Sequence, residues 1–207
     1  MARGLFISFE GGEGTGKSTQ VAHLAAELRT RGHDVLATRE PGGTPGSEAI
    51  RTLLVSGEID RWSALTEALL MNAARREHIE RVIAPALTAG TIVLCDRFAD
   101  STRVYQGAAG GVSADLIATL ETAVVGAVRP DLTFILDLPI EVGLARAGAR
   151  GLGESRFETK GEAYHGRLRE AFLDIARDDP DRCVVIDAQG DPAAVAARIW
   201  DRVRPRL

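Results

Sequence analysis

The stretch Gly11-Gly12-Glu13-Gly14-Thr15-Gly16-Lys17-Ser18 begins ten residues after the start of the chain and decides the fold. It matches G-x-x-x-x-G-K-[ST], the phosphate-binding loop, or P-loop. Its glycines let consecutive backbone N–H groups converge on phosphate oxygens, where β-carbons would crowd them. Lys17 can then reach the β- and γ-phosphates, and the Ser18 hydroxyl can hold Mg²⁺. We therefore predict that the segment from Gly11 to Thr19 binds a nucleoside triphosphate.

The sequence on either side of this loop has the order that a P-loop needs. Residues 5–9 form a short apolar run that predicts a β-strand, and residues 18–31 carry apolar side chains at helical spacing. Gly32 then ends the helix. The alternative is a glycine-rich turn that happens to contain a lysine. The strand before the loop and the helix after it argue against that alternative.

The rest of the chain alternates between strands and helices. We predict strands at 34–38, 91–95, 132–138 and 183–186, and helices at 47–55, 66–84, 113–127, 140–147, 162–177 and 192–203. Pro85 should bend the long helix or begin a short continuation, and residues 99–111 should form a polar, glycine-rich connection. This alternation predicts an α/β fold of the P-loop NTPase type, a five-stranded parallel sheet with helices on both faces. We expect residues 1–207 to form one domain.

Composition and charge limit the function classes. The 207 residues are 45% hydrophobic and 26% charged, and the net charge of −4 gives no overall positive field for nucleic acid. Cys95 and Cys183 lie in or beside apolar runs, which favours buried, reduced thiols. The sequence shows no signal peptide and no apolar stretch of the roughly 20 residues that span a bilayer. We expect a cytoplasmic protein that binds neither nucleic acid nor membranes.

The pair Asp96-Arg97 follows a predicted buried strand and is the second strong signal. An acid at the end of a strand beside a P-loop can hold Mg²⁺, directly or through water. Arg97 would be a poor core residue but suits a phosphate clamp. The alternative role for Asp96 is a helix N-cap.

Three blocks of sequence occur in a particular order along the chain. They are Glu10-Gly11 to Thr19 with Glu13 in the loop, Arg39-Glu40-Pro41-Gly42-Gly43-Thr44, and Asp96-Arg97-Phe98 followed by Ser101-Thr102 and Tyr105-Gln106-Gly107. In these blocks the chain strongly resembles the thymidylate kinase family over nearly its full length. The P-loop is shared by many families, whereas the other two blocks are much more particular to this one. The resemblance implies transfer of the γ-phosphate of ATP to dTMP, giving dTDP and ADP, with Mg²⁺ as cofactor.

The resemblance also implies roles for residues around the sugar and phosphate of dTMP. By motif match, Glu13 would meet the ribose 3′-hydroxyl, and Arg39 and Arg97 would bind the phosphate. Tyr105 would lie against the sugar, where a 2′-hydroxyl would crowd it. Ser101 and Gln106 would complete the wall of the site around the sugar.

For the base, the resemblance implies a pocket lined by Pro41, Leu54 and Arg75, with Arg75 donating to a base carbonyl. One position departs from the family pattern. An aromatic residue usually stacks on thymine one helical turn before the pocket arginine, and here that position is Met71. Methionine can pack on a ring because it is flexible and polarisable.

Several of these residues have plainer alternatives. Arg75 could lie with Arg76 on a solvated helix face, Tyr105 could be an ordinary rim aromatic, and Glu40, included in the substrate site, could be an ion-pair partner. His78 is expected to be a surface or hydrogen-bonded histidine rather than a ligand.

The segment 146–158 combines glycines with three arginines, which favours a lid that closes over ATP. Members of the resembled family differ in whether a catalytic arginine lies in the P-loop or in the lid. Because the P-loop position here is Gly14, we expect the lid to supply it, and Arg150 and Arg156 join Lys17 and Arg97 as catalytic candidates. Near the adenine we place Arg146 and Gln189. The alternative is a flexible basic surface loop.

Three other kinds of protein share parts of this pattern. Another nucleoside monophosphate kinase would keep the P-loop, Asp96 and the lid but change the base pocket. A GTP-dependent switch protein would need an Asn-Lys-x-Asp motif, which the sequence lacks. A non-catalytic nucleotide-binding module would not explain the lid arginines. The resemblance further suggests a homodimer formed through packed helices.

Overall fold

The computed structural model describes residues 3–58, 60–149 and 161–207. Within them lie five parallel strands, in the spatial order β2-β3-β1-β4-β5: β1 (Phe6–Glu10), β2 (Val35–Arg39), β3 (Ile92–Asp96), β4 (Leu132–Asp137) and β5 (Cys183–Asp187). The predicted five-stranded parallel sheet is confirmed.

Helices connect the strands and follow the predicted order. They are α1 (Lys17–Thr30), α2 (Pro45–Val55), α3 (Ala64–His78), α4 (Ala84–Thr88), α5 (Ala99–Thr102), α6 (Ala114–Val125), α7 (Ile140–Ala149), α8 (Glu162–Asp178) and α9 (Pro192–Val203). The described residues also form two π-helical turns (Ile79–Ile83 and Arg103–Ala108) and a 3₁₀ turn (Arg204–Arg206). In the described parts of the chain, no helix has the length and apolarity that a membrane crossing requires.

Each face of the sheet has its own hydrophobic core. On one face, Phe9 and Phe134 pack in a cluster with α1 and α9. On the other face, Phe6 packs with the first π-helical turn and α4, and Ile135 packs with Phe172 of α8. Because both faces are covered, all five residues of β1 are buried. Helices on both faces of the sheet are therefore confirmed.

The long helix predicted at 66–84 is interrupted just before Pro85. The Ala84 N–H donates to the Ile79 carbonyl five residues back, which is the π-helical pattern. The wider turn lies where the proline ring would otherwise clash with the carbonyl of Arg81 in a regular α-helix. The short continuation expected at Pro85 is α4.

Residues 99–111, predicted as a polar connection, are largely helical, and this prediction is corrected. They form α5 and the second π-helical turn. The reason lies in tertiary packing: Val104 and Tyr105 are buried against Leu168 and Phe172 of α8. Burial of these apolar side chains orders a segment whose glycines and polar residues give only a weak local helix signal.

Candidate active site

The P-loop joins β1 to α1 and curls through positive backbone angles at three glycines. The φ angles are +132° at Gly11, +70° at Gly14 and +90° at Gly16, and glycine adopts such values without a steric penalty. Gly16 is also the N-cap of α1, and it makes no side-chain cap within the described chain. The first N–H groups of α1 therefore remain available for an anion at the positive end of the helix dipole.

Lys17 lies folded over this loop. Its side chain is buried, and its Nζ donates to the carbonyl oxygens of Gly11 at 3.1 Å and Gly12 at 2.7 Å. Burial and the neighbouring Arg97 lower the pKa of Lys17 to about 8. Because this ammonium group is poorly hydrated, a phosphate that replaces the two carbonyls would strongly stabilise its charged form.

Ser18 and Asp96 meet at the start of α1. The Ser18 hydroxyl donates to the Asp96 Oδ2 atom across the gap between the P-loop and the end of β3. A hydroxyl and a carboxylate are both hard oxygen ligands of the kind that Mg²⁺ takes. The two side chains therefore fit the predicted metal site in their chemistry and in their position beside the phosphate loop.

A cleft opens beside the P-loop between the ends of β1, β2 and β3 and the helices α2 and α3. It encloses about 580 Å³ of space, including its open mouth. The residues predicted for the substrate that line it are Glu13, Glu40, Pro41, Met71, Arg75, Arg97, Ser101, Tyr105 and Gln106. The structure thus brings together side chains that are distant in sequence.

Arg97 joins the cleft to the P-loop. Its Nη2 atom donates to Glu13 Oε1 at 2.8 Å, and its Nη1 atom donates to Ser101 Oγ at 3.2 Å. The Tyr105 hydroxyl donates to the same Glu13 oxygen at 2.8 Å, and the guanidinium lies 5.0 Å from the Tyr105 ring centroid. Burial alone would raise the pKa of Glu13, but Arg97 and Lys17 outweigh it and bring that pKa down to about 2. Glu13 is therefore ionised at neutral pH.

Arg75 is enclosed in the wall of the cleft. It is 3% exposed, and it donates to Glu40 Oε2 at 2.7 Å, to the Phe98 carbonyl at 3.0 Å and to Thr102 Oγ1 at 3.1 Å. Glu40 also accepts a contact of 3.2 Å from His78 Nδ1. Arg75 therefore does not lie on a solvated helix face, and Glu40 is its buried ion-pair partner.

Two residues predicted for the substrate, Arg39 and Leu54, are not among the described residues that line the cleft. Arg39 is half exposed and pairs with Glu48 at 3.0 Å. Leu54 is fully buried in α2, whose cleft-lining residues are Arg51 and Val55. Arg146 donates to the Ala188 carbonyl at 3.3 Å, which places it beside the loop that carries the exposed Gln189. The lid candidates Arg150 and Arg156 lie outside the described residues.

Some cleft residues were not predicted from the sequence. They are Arg51, Val55, Phe98 and Thr102. Arg51 donates to the Pro41 carbonyl at 2.9 Å. Arg51 and Val55 are four residues apart and therefore lie on one face of α2. The sequence shows this spacing, but it does not show that this face points to the cleft.

The P-loop also contacts α7 through bare backbone. A β-carbon on Gly14 would lie 1.9 Å from the Gly143 carbonyl oxygen, and one on Gly143 would lie 2.7 Å from the Glu13 carbonyl oxygen. Only glycine at both positions permits this approach. The helix that leads to the predicted lid is thus seated directly on the phosphate loop.

A phosphate loop alone binds a nucleotide, but here a second, arginine-lined cleft opens directly beside it. Two anionic ligands held side by side suit phosphoryl transfer, and the class of protein defined by this arrangement is the P-loop nucleotide kinase. The family model described as thymidylate kinase matches residues 9–199. The chain belongs to the thymidylate kinase family.

Relatives and a solved structure agree with this assignment. A thymidylate kinase of Caulobacter vibrioides is 65% identical over 207 residues, covering 100% of this chain and 99% of that protein. A thymidylate kinase of Bradyrhizobium diazoefficiens is 54% identical, covering 99% of this chain and 91% of that protein. The crystal structure of thymidylate kinase from Ehrlichia chaffeensis is 34% identical with a TM-score of 0.80, covering 97% of this chain and 99% of that chain. The resemblance predicted from the sequence is confirmed.

Proposed function

We propose that this protein binds ATP on the P-loop and dTMP in the cleft, and that its described residues align the two for transfer of the γ-phosphate. The reaction gives dTDP and ADP and is that of the family, a kinase of the transferase class. The observation that carries the proposal is the Arg97–Glu13 pair. Arg97 lines the cleft and also bonds to Glu13, a residue of the P-loop, so a single guanidinium lies between the two anion sites.

In the cleft, Arg97 would bind the dTMP phosphate and Glu13 the sugar hydroxyl. Arg75 would donate to a carbonyl of the base, because among the described residues its Nη1 atom makes a single long contact of 3.5 Å, to Asn72 Oδ1. Tyr105 would contact the sugar. The remaining cleft wall would be supplied by Glu40, Pro41, Met71, Ser101 and Gln106.

On the nucleotide side, Lys17 would exchange its two carbonyl partners for the β- and γ-phosphates. Ser18 and Asp96 would hold Mg²⁺, whose charge offsets that of the phosphates when it is bound. Arg146 and Gln189 would border the adenine. Phosphoryl transfer needs positioning and charge stabilisation more than a covalent nucleophile, which fits a site rich in cations.

The lid belongs to the proposal as well. We place the further catalytic arginine in the segment 146–158, at Arg150 or Arg156, within a single domain of 207 residues. The contact between Gly14 and Gly143 supports this placement, since it leaves no room for a side chain in the P-loop at position 14.

We also propose a homodimer in the cytoplasm. Exposed leucines lie on three neighbouring helices, with Leu53 on α2 40% exposed, Leu69 on α3 50% exposed and Leu116 on α6 37% exposed. Such a surface suits a second copy of the chain. The free, buried thiols of Cys95 and Cys183 fit a reducing compartment.

The test of the function is a coupled assay of ADP release with dTMP, dCMP, dUMP and AMP as acceptors. We expect turnover to be highest with dTMP. Lys17→Met is the matched control, because it removes the phosphate-binding ammonium and keeps a side chain of similar length. Equal kcat/KM for all acceptors, or normal turnover by Lys17→Met, would contradict the proposal.

A further inference from the structure

Glu10 is a buried carboxylate that lies just outside the cleft. It is the last residue of β1, it is 0% exposed, and it is not among the described residues that line the cleft. No role in substrate or metal binding follows from its position in the sequence. A buried carboxylate is costly unless hydrogen bonds satisfy it, so its partners indicate what it does.

The described hydrogen-bond partners of the Glu10 carboxylate lie in the turn that follows Arg97. Glu10 Oε1 accepts from the backbone N–H groups of Phe98 at 2.7 Å and Ser101 at 3.3 Å. Glu10 Oε2 accepts from the Ser101 hydroxyl at 2.6 Å. One carboxylate therefore fixes both the backbone of this turn and the direction of the serine hydroxyl.

Ser101 links Glu10 to Arg97 through its hydroxyl group. Because the Ser101 proton is donated to Glu10, the lone pairs of its oxygen are free to accept, and Arg97 Nη1 donates to them at 3.2 Å. The backbone of Arg97 has φ +68°, in the left-handed region that non-glycine residues seldom adopt. Such a conformation persists when its surroundings over-determine it, and Glu10 binds the residues that follow it.

We propose that Glu10 is a positioning residue for Arg97: its ionised carboxylate orients the Ser101 hydroxyl so that the serine oxygen accepts from the Arg97 guanidinium. The inference rests on the proposed role of Arg97 toward the dTMP phosphate. Glu10 touches neither substrate in this scheme and acts only through Ser101 and the turn.

The same geometry makes the arrangement sensitive to protonation. Since Glu10 Oε1 is engaged by two N–H groups, an added proton resides on Oε2 and is donated to Ser101 Oγ. The Ser101 oxygen then accepts from the protonated carboxyl as well as from Arg97, and its hydrogen is released from Glu10. Because Ser101 no longer donates to a carboxylate, its oxygen becomes a weaker acceptor for the Arg97 guanidinium.

Burial and the nearby Asp100 carboxylate raise the pKa of Glu10 to about 7, while Ser101 and Arg97 act in the opposite direction. Both protonation states of Glu10 are therefore populated near neutral pH. The other titratable groups that interact electrostatically with this carboxylate from the surrounding elements are Lys17 of α1, Cys95 of β3 and Cys183 of β5.

Glu10→Gln tests the proposal because it mimics the protonated state. The glutamine carbonyl must accept from the two backbone N–H groups, so its NH₂ group faces Ser101 Oγ and donates to it. We expect kcat/KM for dTMP to fall about tenfold or more, as for a weakened hydrogen bond to a charged group, with KM for ATP changed less than about twofold.

The pH profile provides a readout that a merely structural role would not change. Between about pH 6 and about pH 8, kcat/KM of the wild type for dTMP should rise with two ionisations, that of the dTMP phosphate and that of Glu10. In the Glu10→Gln variant, kcat/KM should rise with the ionisation of the dTMP phosphate alone. Glu121→Gln is the matched control, since it removes a buried carboxylate that is 7% exposed and bonded to Arg103 at 2.6 Å. It should lower the melting temperature and keep the wild-type pH profile.

Ser101→Ala completes the test. If Glu10 acts through the serine hydroxyl, Glu10→Gln adds little further loss in the Ser101→Ala background, and Ser101→Ala alone loses the Glu10 component of the profile. The pH profile of Ser101→Ala tests the inference even if Glu10→Gln fails to fold. A wild-type profile in Glu10→Gln, or its full effect persisting without Ser101, would overturn the inference. A wild type that does not phosphorylate dTMP would instead overturn the proposed function.

Discussion

Arg75 has its direction set by three different partners, which makes it the residue best suited to read the base. In Arg75→Lys the single ammonium cannot keep the bonds to Glu40, the Phe98 carbonyl and Thr102 together. We expect the ratio of kcat/KM for dTMP over dCMP to fall about tenfold and the melting temperature to drop. Arg76→Lys is the control, because Arg76 is 50% exposed and pairs at the surface with Glu80 and the Val124 carbonyl. An unchanged ratio in Arg75→Lys would show that another group selects the base.

At the scale of the element, the lid is expected to deliver its arginine only on closure. That interaction is stronger in the transition state than in the ground state, so its loss should lower kcat more than it raises KM. We predict that Arg150→Ala or Arg156→Ala lowers kcat at saturating ATP and dTMP by at least about tenfold. Arg177→Ala on α8 is the control, as its charge pairs at the surface with Glu170 and Asp174. The lid carries no catalytic arginine if both lid variants, and Arg146→Ala, keep kcat within about threefold.

The close contact between α7 and the P-loop leads to a prediction for Gly143. A β-carbon at Gly143 would lie 2.7 Å from the Glu13 carbonyl, so Gly143→Ala must displace the P-loop or the helix. We expect KM for ATP to rise and kcat to fall, each at least several-fold, in steady-state kinetics. Gly166→Ala on α8 is the matched control, because among the described residues its β-carbon would meet Ile140 Cδ1 alone, at 3.7 Å, an ordinary contact. Wild-type kinetics in Gly143→Ala would mean that the P-loop tolerates this shift.

At the scale of the whole molecule, the exposed leucines of α2, α3 and α6 define the proposed dimer surface. Leu69→Glu places a charge where Leu69 is 50% exposed, and it should give a monomer by light scattering at concentrations where the wild type is a dimer. Leu207→Glu is the control, since Leu207 is 48% exposed at the end of the chain. A monomeric wild type, or an equal effect of both variants, would contradict the assignment of this surface.

How much of this molecule can be predicted from its sequence differs between its parts. The strands and most helices follow from local periodicity and turn residues, which is why the parallel sheet was foreseen. The helical state of 99–111 depends on burial of Val104 and Tyr105 against α8, which no local pattern contains. Leu54 was predicted for the cleft and Val55 lines it instead, because one residue turns a helix face by about 100° and the sequence does not say which face meets the cleft.

The contact between Gly14 and Gly143 also constrains how this sequence can evolve. An arginine in the P-loop at position 14 needs α7 to retreat, because its β-carbon would lie 1.9 Å from the Gly143 carbonyl oxygen. Such a retreat would shift α7, the helix that leads to the proposed lid, and would disturb the arginines that we propose there. A lineage that moved its arginine from lid to loop would pass through intermediates that have neither in place. We therefore expect that no single substitution moves the catalytic arginine from the proposed lid to the P-loop.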